Sequence, residues 1–249
     1  MNSSLHRCAF GAVAFCVAIN AAASVQVGGT RVVYDGARRE ASISVKNNES
    51  FPYVVQSWMD NGDEQNGRDV PFFIVPPVFR LDAGKESLLR IQYAGQGLPA
   101  DRESVLWLNV QEIPPAPEKE NLLQIAMRTR IKLFYRPKGL PGDPVQAAGQ
   151  LRWQLRQEQR GQVLVVGNPS VYAVNLGTIT LHGQAIDGQM VLPGTQLSLP
   201  LPADLRLAAH GRYDLSYTYI NDFGATSEPV KAQHGAEALA ASTGGDAAK

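Results

Sequence analysis

Short runs of alternating apolar and polar residues dominate the chain beyond its first two dozen positions. The runs are rich in Val, Ile, Leu and Tyr, and clusters of Gly, Pro, Asn and Asp separate them. Alternation with a period of two is typical of strands that bury one face. In the first half of the chain it predicts seven strands, near 25–34, 41–47, 53–59, 72–81, 87–93, 105–112 and 122–135. Seven short strands in one domain are typical of an immunoglobulin-like sandwich.

A Pro- and Gly-rich segment at 137–144 interrupts the pattern and marks a boundary between domains. Beyond it the alternation is weaker, and it predicts strands near 150–157, 162–167, 173–182, 188–191, 196–200 and 213–220. The expected fold is therefore all-β, with two immunoglobulin-like β-sandwich domains. The expected division is a signal peptide at 1–23, a first domain at 24–138, a linker at 139–149, a second domain at 150–235 and a disordered tail at 236–249.

The first 23 residues have the features of a secretory signal peptide. A basic residue precedes an apolar run of about 12 residues, which is too short to span a bilayer. Ala21 and Ala23 fit a cleavage site for signal peptidase. Cys8 and Cys16, the two cysteines of the sequence, would leave with this segment. A lipoprotein in which Cys16 is lipidated is the alternative, although the residues before Cys16 fit that motif poorly. We expect an exported protein without disulfides, located in the periplasm.

Composition gives little support for an enzyme or a nucleic-acid-binding protein. The 23 basic and 23 acidic residues balance, so neither nucleic acid nor direct membrane insertion is expected. His182, His210 and His234 lie far apart and lack the spacing of metal ligands. No nucleophile elbow or phosphate-binding loop is present in the sequence. We therefore expect a non-enzymatic protein that has no cofactor and no metal.

Cationic residues among apolar ones are the unusual feature of two predicted strands. Arg31 lies in TRVVY, and Lys132 lies in the middle of RTRIKLFYRP. Cations that alternate along a strand usually form its solvated face, or protect an edge strand from pairing. A binding site for an anion is the other interpretation, because a carboxylate can pair with both a guanidinium and an ammonium. The pattern alone leaves both interpretations open.

Several segments, in order along the chain, resemble the periplasmic chaperones of pilus (fimbrial) assembly by the chaperone–usher pathway. They are TRVVYDG (30–36), VPPVFRLDAG (75–84), DRESVLWLNVQEIPP (101–115), NLLQIAMRTRIKLFYRP (121–137) and YINDFG (219–224). The resemblance covers both predicted domains and is stronger in the first. It implies that the two sandwiches form an L shape with a binding cleft between them.

The resemblance also implies roles for particular residues. Arg31 and Lys132 match the pair that anchors the C-terminal carboxylate of a pilin subunit. Leu123, Ile125 and Met127 alternate along one strand, which suggests either an ordinary core face or, by the resemblance, a row that fills the groove of an incomplete pilin. The second role is β-strand addition, or donor-strand complementation. The implied function is to bind, fold and cap pilin subunits and to deliver them to an outer-membrane usher.

Three further residues match an acid–base–acid set that links the two domains in this family, namely Glu103, Arg136 and Asp222. Three unrelated surface charges would be the simpler interpretation. The resemblance also suggests a cis peptide bond before Pro76. Self-association through the exposed donor strand is left open.

Two departures from the family pattern concern the loop 114–120 and the C-terminus. The loop is short, as in chaperones that serve rod-like pili, and no cysteine pair is present near the C-terminus. A structural subunit or adhesin of the cell surface is the alternative function, but only about seven residues precede Arg31 after the predicted cleavage site. A sandwich-fold dismutase would need metal ligands that the sequence lacks.

Overall fold

A computed structural model of the protein describes residues 24–63, 67, 69–116, 124–159, 161–202, 204–205, 207 and 213–232. The predicted signal peptide 1–23 and tail 236–249 lie outside these residues, and so do Leu123, His210 and His234. Within the described ranges, no helix is long and apolar enough to cross a membrane.

The described residues of the first domain form nine strands. They are β1 (Val25–Val27), β2 (Arg31–Asp35), β3 (Glu40–Asn47), β4 (Tyr53–Asp60), β5 (Phe72–Val75), β6 (Val78–Leu81), β7 (Glu86–Tyr93), β8 (Ser104–Ile113) and β9 (Arg128–Arg136). One sheet has the order β1-β3-β7-β5, and the other has the order β2-β9-β8-β4-β6.

The core of the first domain lies between these two sheets. Alternate residues of each strand point inward, as the period of two predicts, and form one apolar cluster. Its fully buried members are Val45, Val55, Leu89, Ile91, Leu108 and Leu133. Burial of such side chains stabilises a fold by about 1.5–3 kcal/mol each, before conformational entropy is subtracted. The predicted sandwich is therefore confirmed for this half of the chain.

The predicted strand 25–34 is divided into β1 and β2, which belong to opposite sheets. The chain crosses between the sheets at Gly28 and Gly29, where the Gly28 N–H donates to the Ser44 carbonyl, 2.8 Å away. A side chain at Gly28 would collide with the Ser44 hydroxyl. Glycine allows this close approach of two backbones, and the division places Arg31 at the beginning of a new strand.

The predicted strand 72–81 is divided in the same way, into β5 and β6. The peptide bond between Val75 and Pro76 is cis, as the resemblance suggested. Pro76 and Pro77 cannot donate backbone hydrogen bonds, which prevents one continuous strand through this point.

The second domain contains eight strands and one helix in the described residues. They are α1 (Pro144–Gly149), β10 (Arg152–Glu158), β11 (Gly161–Gly167), β12 (Val174–Leu181), β13 (Gln184–Asp187), β14 (Met190–Val191), β15 (Gln196–Pro200), β16 (Leu215–Tyr219) and β17 (Val230–Lys231). One sheet has the order β10-β11-β15, and the other has the order β13-β12-β16-β17, with β14 also paired to β12.

Helix α1 lies inside the segment predicted to be an irregular linker. The side chain of Asp143 accepts a hydrogen bond from the Gln146 N–H, and Pro144 occupies the first helical turn. Both residues are favourable at these positions. Ala147 and Ala148 are buried in the core of the second domain, so this helix packs as part of that domain. The segment 139–149 therefore contains a capped helix in its second half, which the Pro and Gly pattern did not predict.

Candidate functional site

Arg31 and Lys132 lie opposite each other on adjacent parallel strands. β2 pairs with β9, and the Cα atoms of Arg31 and Lys132 form the first matched pair of that register. The next residues, Val32 and Leu133, point into the core of the first domain. Because side chains alternate along a strand, the two cations point away from the core, towards the second domain.

The second domain supplies a polar contact to each cation. Nη1 of Arg31 donates to the carbonyl oxygen of Ile220, 3.3 Å away. Nζ of Lys132 donates to Oδ1 of Asn175, 2.6 Å away. The two cations therefore lie in a cleft between the domains, and neutral oxygen atoms are their hydrogen-bond partners.

Burial disfavours the charge of both side chains. It lowers the pKa of Arg31, although the nearby Asp222 acts in the opposite direction. It also lowers the pKa of Lys132, and the positive charge of Arg31 lowers it further. Neither side chain forms an ion pair within the described part of the chain. Nε of Arg31 is buried and has no hydrogen-bond partner among the described residues.

Aromatic rings also line the positions of the two cations. Nζ of Lys132 lies 5.6 Å from the centre of the Trp107 ring, and Cζ of Arg31 lies 5.8 Å from the centre of the Phe134 ring. An aromatic face stabilises a cation modestly, by about 0.5–2 kcal/mol, and supplies no negative charge. Two partly desolvated cations without a carboxylate partner form a site that favours an anion.

The residues predicted to fill the pilin groove, here called the donor row, are Leu123, Ile125 and Met127. They precede β9 in the chain. Ile125 is 65% exposed and Met127 is 51% exposed, so neither belongs to the core of the first domain. The predicted strand 122–135 was wrong at its start, since the regular strand begins at Arg128 and residues 124–127 are irregular. Leu123 lies outside the described residues. The same alternation along the chain leads to Ile131 and Leu133, and both of these side chains are buried.

One edge of β9 is open beside this row. β8 pairs with β9 over residues 128–135, whereas β2 pairs with it only from Lys132 onwards. Among the described residues, no strand pairs with 128–131 on the side opposite β8. The open edge therefore ends at the point where β2 begins and where Arg31 and Lys132 meet.

Glu103, Arg136 and Asp222 contact one another between the domains. Nε of Arg136 lies 2.6 Å from Oε1 of Glu103, while its two terminal nitrogens lie 2.6 and 2.7 Å from the oxygens of Asp222. Glu103 also accepts a hydrogen bond from the backbone of Ala173 in the second domain. Burial alone would lower the pKa of Arg136, but the two carboxylates raise it above its ordinary value. Burial raises the pKa of Glu103, and the hydrogen bonds that it accepts oppose this effect.

No sequence pattern indicates the contact of Asn175 or the role of Ile220. Their contacts to Lys132 and Arg31 join residues 43 and 189 positions apart. A second polar group on the same outer face was also missed, in which Asp60 accepts hydrogen bonds from Arg130 and Asn109. Across the described residues, no group of three or more His, Cys, Asp or Glu residues could hold a metal ion.

Comparison with known proteins agrees with this architecture. Residues 24–141 match the family model described as pili and flagellar-assembly chaperone, PapD N-terminal domain. Residues 146–231 match the model described as pili assembly chaperone PapD, C-terminal domain. The probable fimbrial chaperone LpfB of Escherichia coli O157:H7 is 39% identical over 228 residues, which are 88% of this chain and 94% of that protein.

Two solved structures have the same fold. The crystal structure of the YadV chaperone has a TM-score of 0.72 and 36% identity, and the match covers 84% of this chain and all of that one. The SafB chaperone of Salmonella enterica, solved in complex with the SafA pilin, has a TM-score of 0.72 and 35% identity, with coverages of 84% and 95%. These matches define a two-domain chaperone of pilus assembly. The chain belongs to the PapD family of pili assembly chaperones. The matches with chaperones do not favour the alternative of a structural subunit or adhesin.

Proposed function

We propose that this chaperone binds the C-terminal carboxylate of a pilin subunit between Arg31 and Lys132. The observation that carries the proposal is their geometry, since the two cations are in register at the end of the open edge of β9. A carboxylate has two oxygens, so it can accept hydrogen bonds from both side chains at once. Replacing the neutral contacts of Ile220 and Asn175 with an anion would neutralise two desolvated charges.

The proposal also implies a direction for the incoming strand. Its carboxylate end lies at Lys132, and the rest of the strand extends along the open edge towards residue 124. The added strand therefore runs from residue 124 towards Lys132, as β9 itself does, and is parallel to β9. β2 is also parallel to β9 and begins at Arg31, so the pilin strand ends where β2 begins. The main-chain groups of residues 128–131 provide its hydrogen bonds.

Ile125 and Met127, with Leu123 before them, fill the groove of the pilin. The two described side chains are exposed in the free protein, and burial in a partner would stabilise the complex by about 1.5–3 kcal/mol each. The entropy cost of association reduces that gain. The SafB–SafA complex among the structural neighbours supports a pilin as partner.

The proposal also includes the steps before and after the binding of the subunit. The chaperone acts in the periplasm after export by the predicted signal peptide, and it delivers the subunit to an outer-membrane usher without catalysing a reaction. Self-association of the free protein would use the same open edge of β9. The ion-pair set around Arg136 holds the second domain in place, so that Asn175 and Ile220 stay beside the two cations.

The test is a double-mutant cycle that measures the affinity for a purified pilin with Arg31→Ala, Lys132→Ala and the double variant. Each single substitution leaves the carboxylate with one partner, which commonly costs about 2–5 kcal/mol, or roughly 30-fold to several thousand-fold in affinity. We expect the losses to be strongly non-additive, because both side chains serve the same ligand group. All three variants should retain the wild-type circular dichroism spectrum. Additive losses, or unchanged affinity, would show that the two cations form only a solvated face.

A further inference from the structure

Glu112 is a buried carboxylate outside the proposed pilin site. It lies on β8 and is 3% exposed. Its Oε2 atom accepts a hydrogen bond from the backbone N–H of Val25, the first residue of β1, at a distance of 2.8 Å. The hydroxyl of Ser24 also stabilises the charge of this carboxylate. Glu112 therefore faces the beginning of the first strand, which is where the predicted signal peptide ends.

Among the described residues, no cation forms an ion pair with Glu112. Burial raises the pKa of Glu112, and the nearby Glu49 raises it further, while the hydrogen bonds that the carboxylate accepts oppose both effects. A cation within a few ångströms is what a buried carboxylate needs to remain charged at low cost. The chain supplies none at this place while Ser24 is joined to Ala23 by a peptide bond.

Removal of the signal peptide creates a cation at this place. Hydrolysis of the bond between Ala23 and Ser24 consumes one water molecule and leaves a carboxylic acid on Ala23 and an amine on Ser24. At neutral pH the acid loses a proton and the amine gains one, because an α-amino group has an ordinary pKa of about 7.7–8.0. The neutral amide nitrogen of Ser24 becomes an ammonium.

Backbone geometry places the new ammonium close to Glu112. Three covalent bonds separate successive backbone nitrogens, which lie at most about 3.7 Å apart. Because the Val25 nitrogen is 2.8 Å from Oε2 of Glu112, the Ser24 nitrogen lies within about 6.5 Å of that atom before any adjustment. The carbonyl of Ser24 accepts from the Asn48 N–H at 2.9 Å, which holds Ser24 in position while its free amino group turns towards the carboxylate.

We infer that the N-terminal ammonium of the mature chain is a ligand of Glu112, and that this buried ion pair forms only after the signal peptide is removed. The inference rests on the cleavage site after Ala23, which belongs to the proposed function. It assigns to Glu112 the role of fixing the start of β1 in the mature protein.

The same residue is connected to the donor row. The backbone N–H of Glu112 donates to the carbonyl oxygen of Met127, 3.0 Å away, and the backbone of Met127 also stabilises the charge of the carboxylate. The ion pair would therefore join the start of β1 to the last residue of the donor row. A precursor that keeps its signal peptide lacks the ammonium, so Met127 is held in this way only in the exported form.

The test compares two forms of the full mature chain without a pilin, one with a free and one with an acetylated amino group at Ser24. Acetylation restores the neutral amide of the precursor and adds no residue. We expect it to lower the melting temperature of the wild-type chain by about 2–4 °C. In Glu112→Gln, which keeps an oxygen for the Val25 N–H, acetylation should change nothing, because both changes remove the same interaction.

Glu49→Gln is the matched control. It removes one negative charge close to Glu112 and leaves the Glu112 carboxylate in place. The effect of acetylation on the melting temperature should persist in this variant. A loss that is the same in the wild type and in Glu112→Gln, or a loss that disappears only in Glu49→Gln, would overturn the inference.

The reactivity of the free amino group gives a second readout that does not depend on overall stability. An ammonium is not a nucleophile, so an amine held in an ion pair reacts slowly with an acylating reagent. At about pH 7, Ser24 should be modified roughly tenfold more slowly in the wild type and in Glu49→Gln than in Glu112→Gln, as measured by mass spectrometry of the N-terminal peptide. Equal rates in all three proteins would contradict the ion pair.

The intact mass of protein purified from the periplasm separates this inference from the proposed function. If the mature chain begins at Ser24 and its amine reacts equally fast in all three proteins, the ion pair is overturned, while cleavage and pilin binding stand. If the chain begins at another residue, the ammonium is not beside Glu112 and the inference fails together with the predicted cleavage site.

Discussion

In the free protein, Asn175 provides a hydrogen-bond acceptor for the Lys132 ammonium but no negative charge to balance it. Its Oδ1 atom accepts a hydrogen bond from the ammonium at 2.6 Å, and the side chain carries no charge of its own. Because burial and Arg31 already lower the pKa of Lys132, a neutral partner leaves a cation that gains from the arrival of an anion. Lys132 has three donors, so a carboxylate can bind while Asn175 keeps its contact or gives it up.

Replacing Asn175 with Asp should therefore weaken the binding of a pilin. The new carboxylate has nearly the same shape as the amide, so it would form an ion pair with Lys132 and compete with the C-terminus of the subunit. We expect a loss of about 10–100-fold in affinity by isothermal titration calorimetry. Asn175→Ala removes the hydrogen bond without adding charge and should change the affinity much less. An Asp variant that binds as tightly as the wild type would contradict this role for Asn175.

At the scale of elements, β9 shows what an alternating pattern can and cannot establish. Ile131 and Leu133 are buried on one side of this strand and Lys132 lies on the other, as alternation requires. It could not tell whether Ile125 and Met127, on the same side as Ile131, lie in the core. Alternation records the side of a strand, whereas burial depends on how far the opposite sheet extends. The exposure of both residues favours the interpretation as a donor row.

The predicted strand 25–34 was divided for a different reason, which is a change of sheet within one alternating run. One alternating run from residue 25 to residue 34 contains β1 and β2, because the chain changes sheets at Gly28 without losing its alternation. The contact of Gly28 with Ser44 comes from the packing of two sheets and leaves no local signal. Short paired elements such as β13 and β17 also depend on their neighbours β12 and β16.

The candidate site was predictable where side chains share a strand register, and unpredictable where the two domains meet. Arg31 and Lys132 were found by their unusual positions and by resemblance to a family. Asn175 and Ile220 come from the second domain, and their proximity to the cations depends on the orientation of that domain. Sequence patterns that describe single elements contain no information on this orientation.

At the scale of the whole molecule, Arg136 connects the two domains through carboxylates with unequal exposure. The Glu103 side chain is fully buried, whereas the Asp222 side chain is 35% exposed. Removing Arg136 leaves a buried carboxylate without its partner, while removing Asp222 leaves Arg136 still paired with Glu103. A buried charge that loses its partner is far more costly than a partly solvated one.

Arg136→Ala should therefore lower the free energy of unfolding more than Asp222→Ala. We expect a loss of about 3–5 kcal/mol for Arg136→Ala and about 1–3 kcal/mol for Asp222→Ala in urea denaturation. Glu103→Gln removes the buried charge and keeps one oxygen, which can accept from Ala173 or from Arg136 but not from both at their present positions. It should still cost less than Arg136→Ala, because no buried charge is left without a partner. Equal losses for Arg136→Ala and Asp222→Ala would show that the burial of Glu103 does not determine how much these ion pairs stabilise the protein.

The central claim is that a pilin strand occupies the open edge of β9 and ends at Arg31 and Lys132. Hydrogen–deuterium exchange of the free chaperone and of its complex with a purified pilin tests it directly. The predicted result is slower exchange of the backbone amides along 124–131 in the complex, with little change in the edge strands β5 and β6, and loss of this protection in Ile125→Asp. Protection confined to β5 or β6, with 124–131 unchanged, would contradict the account.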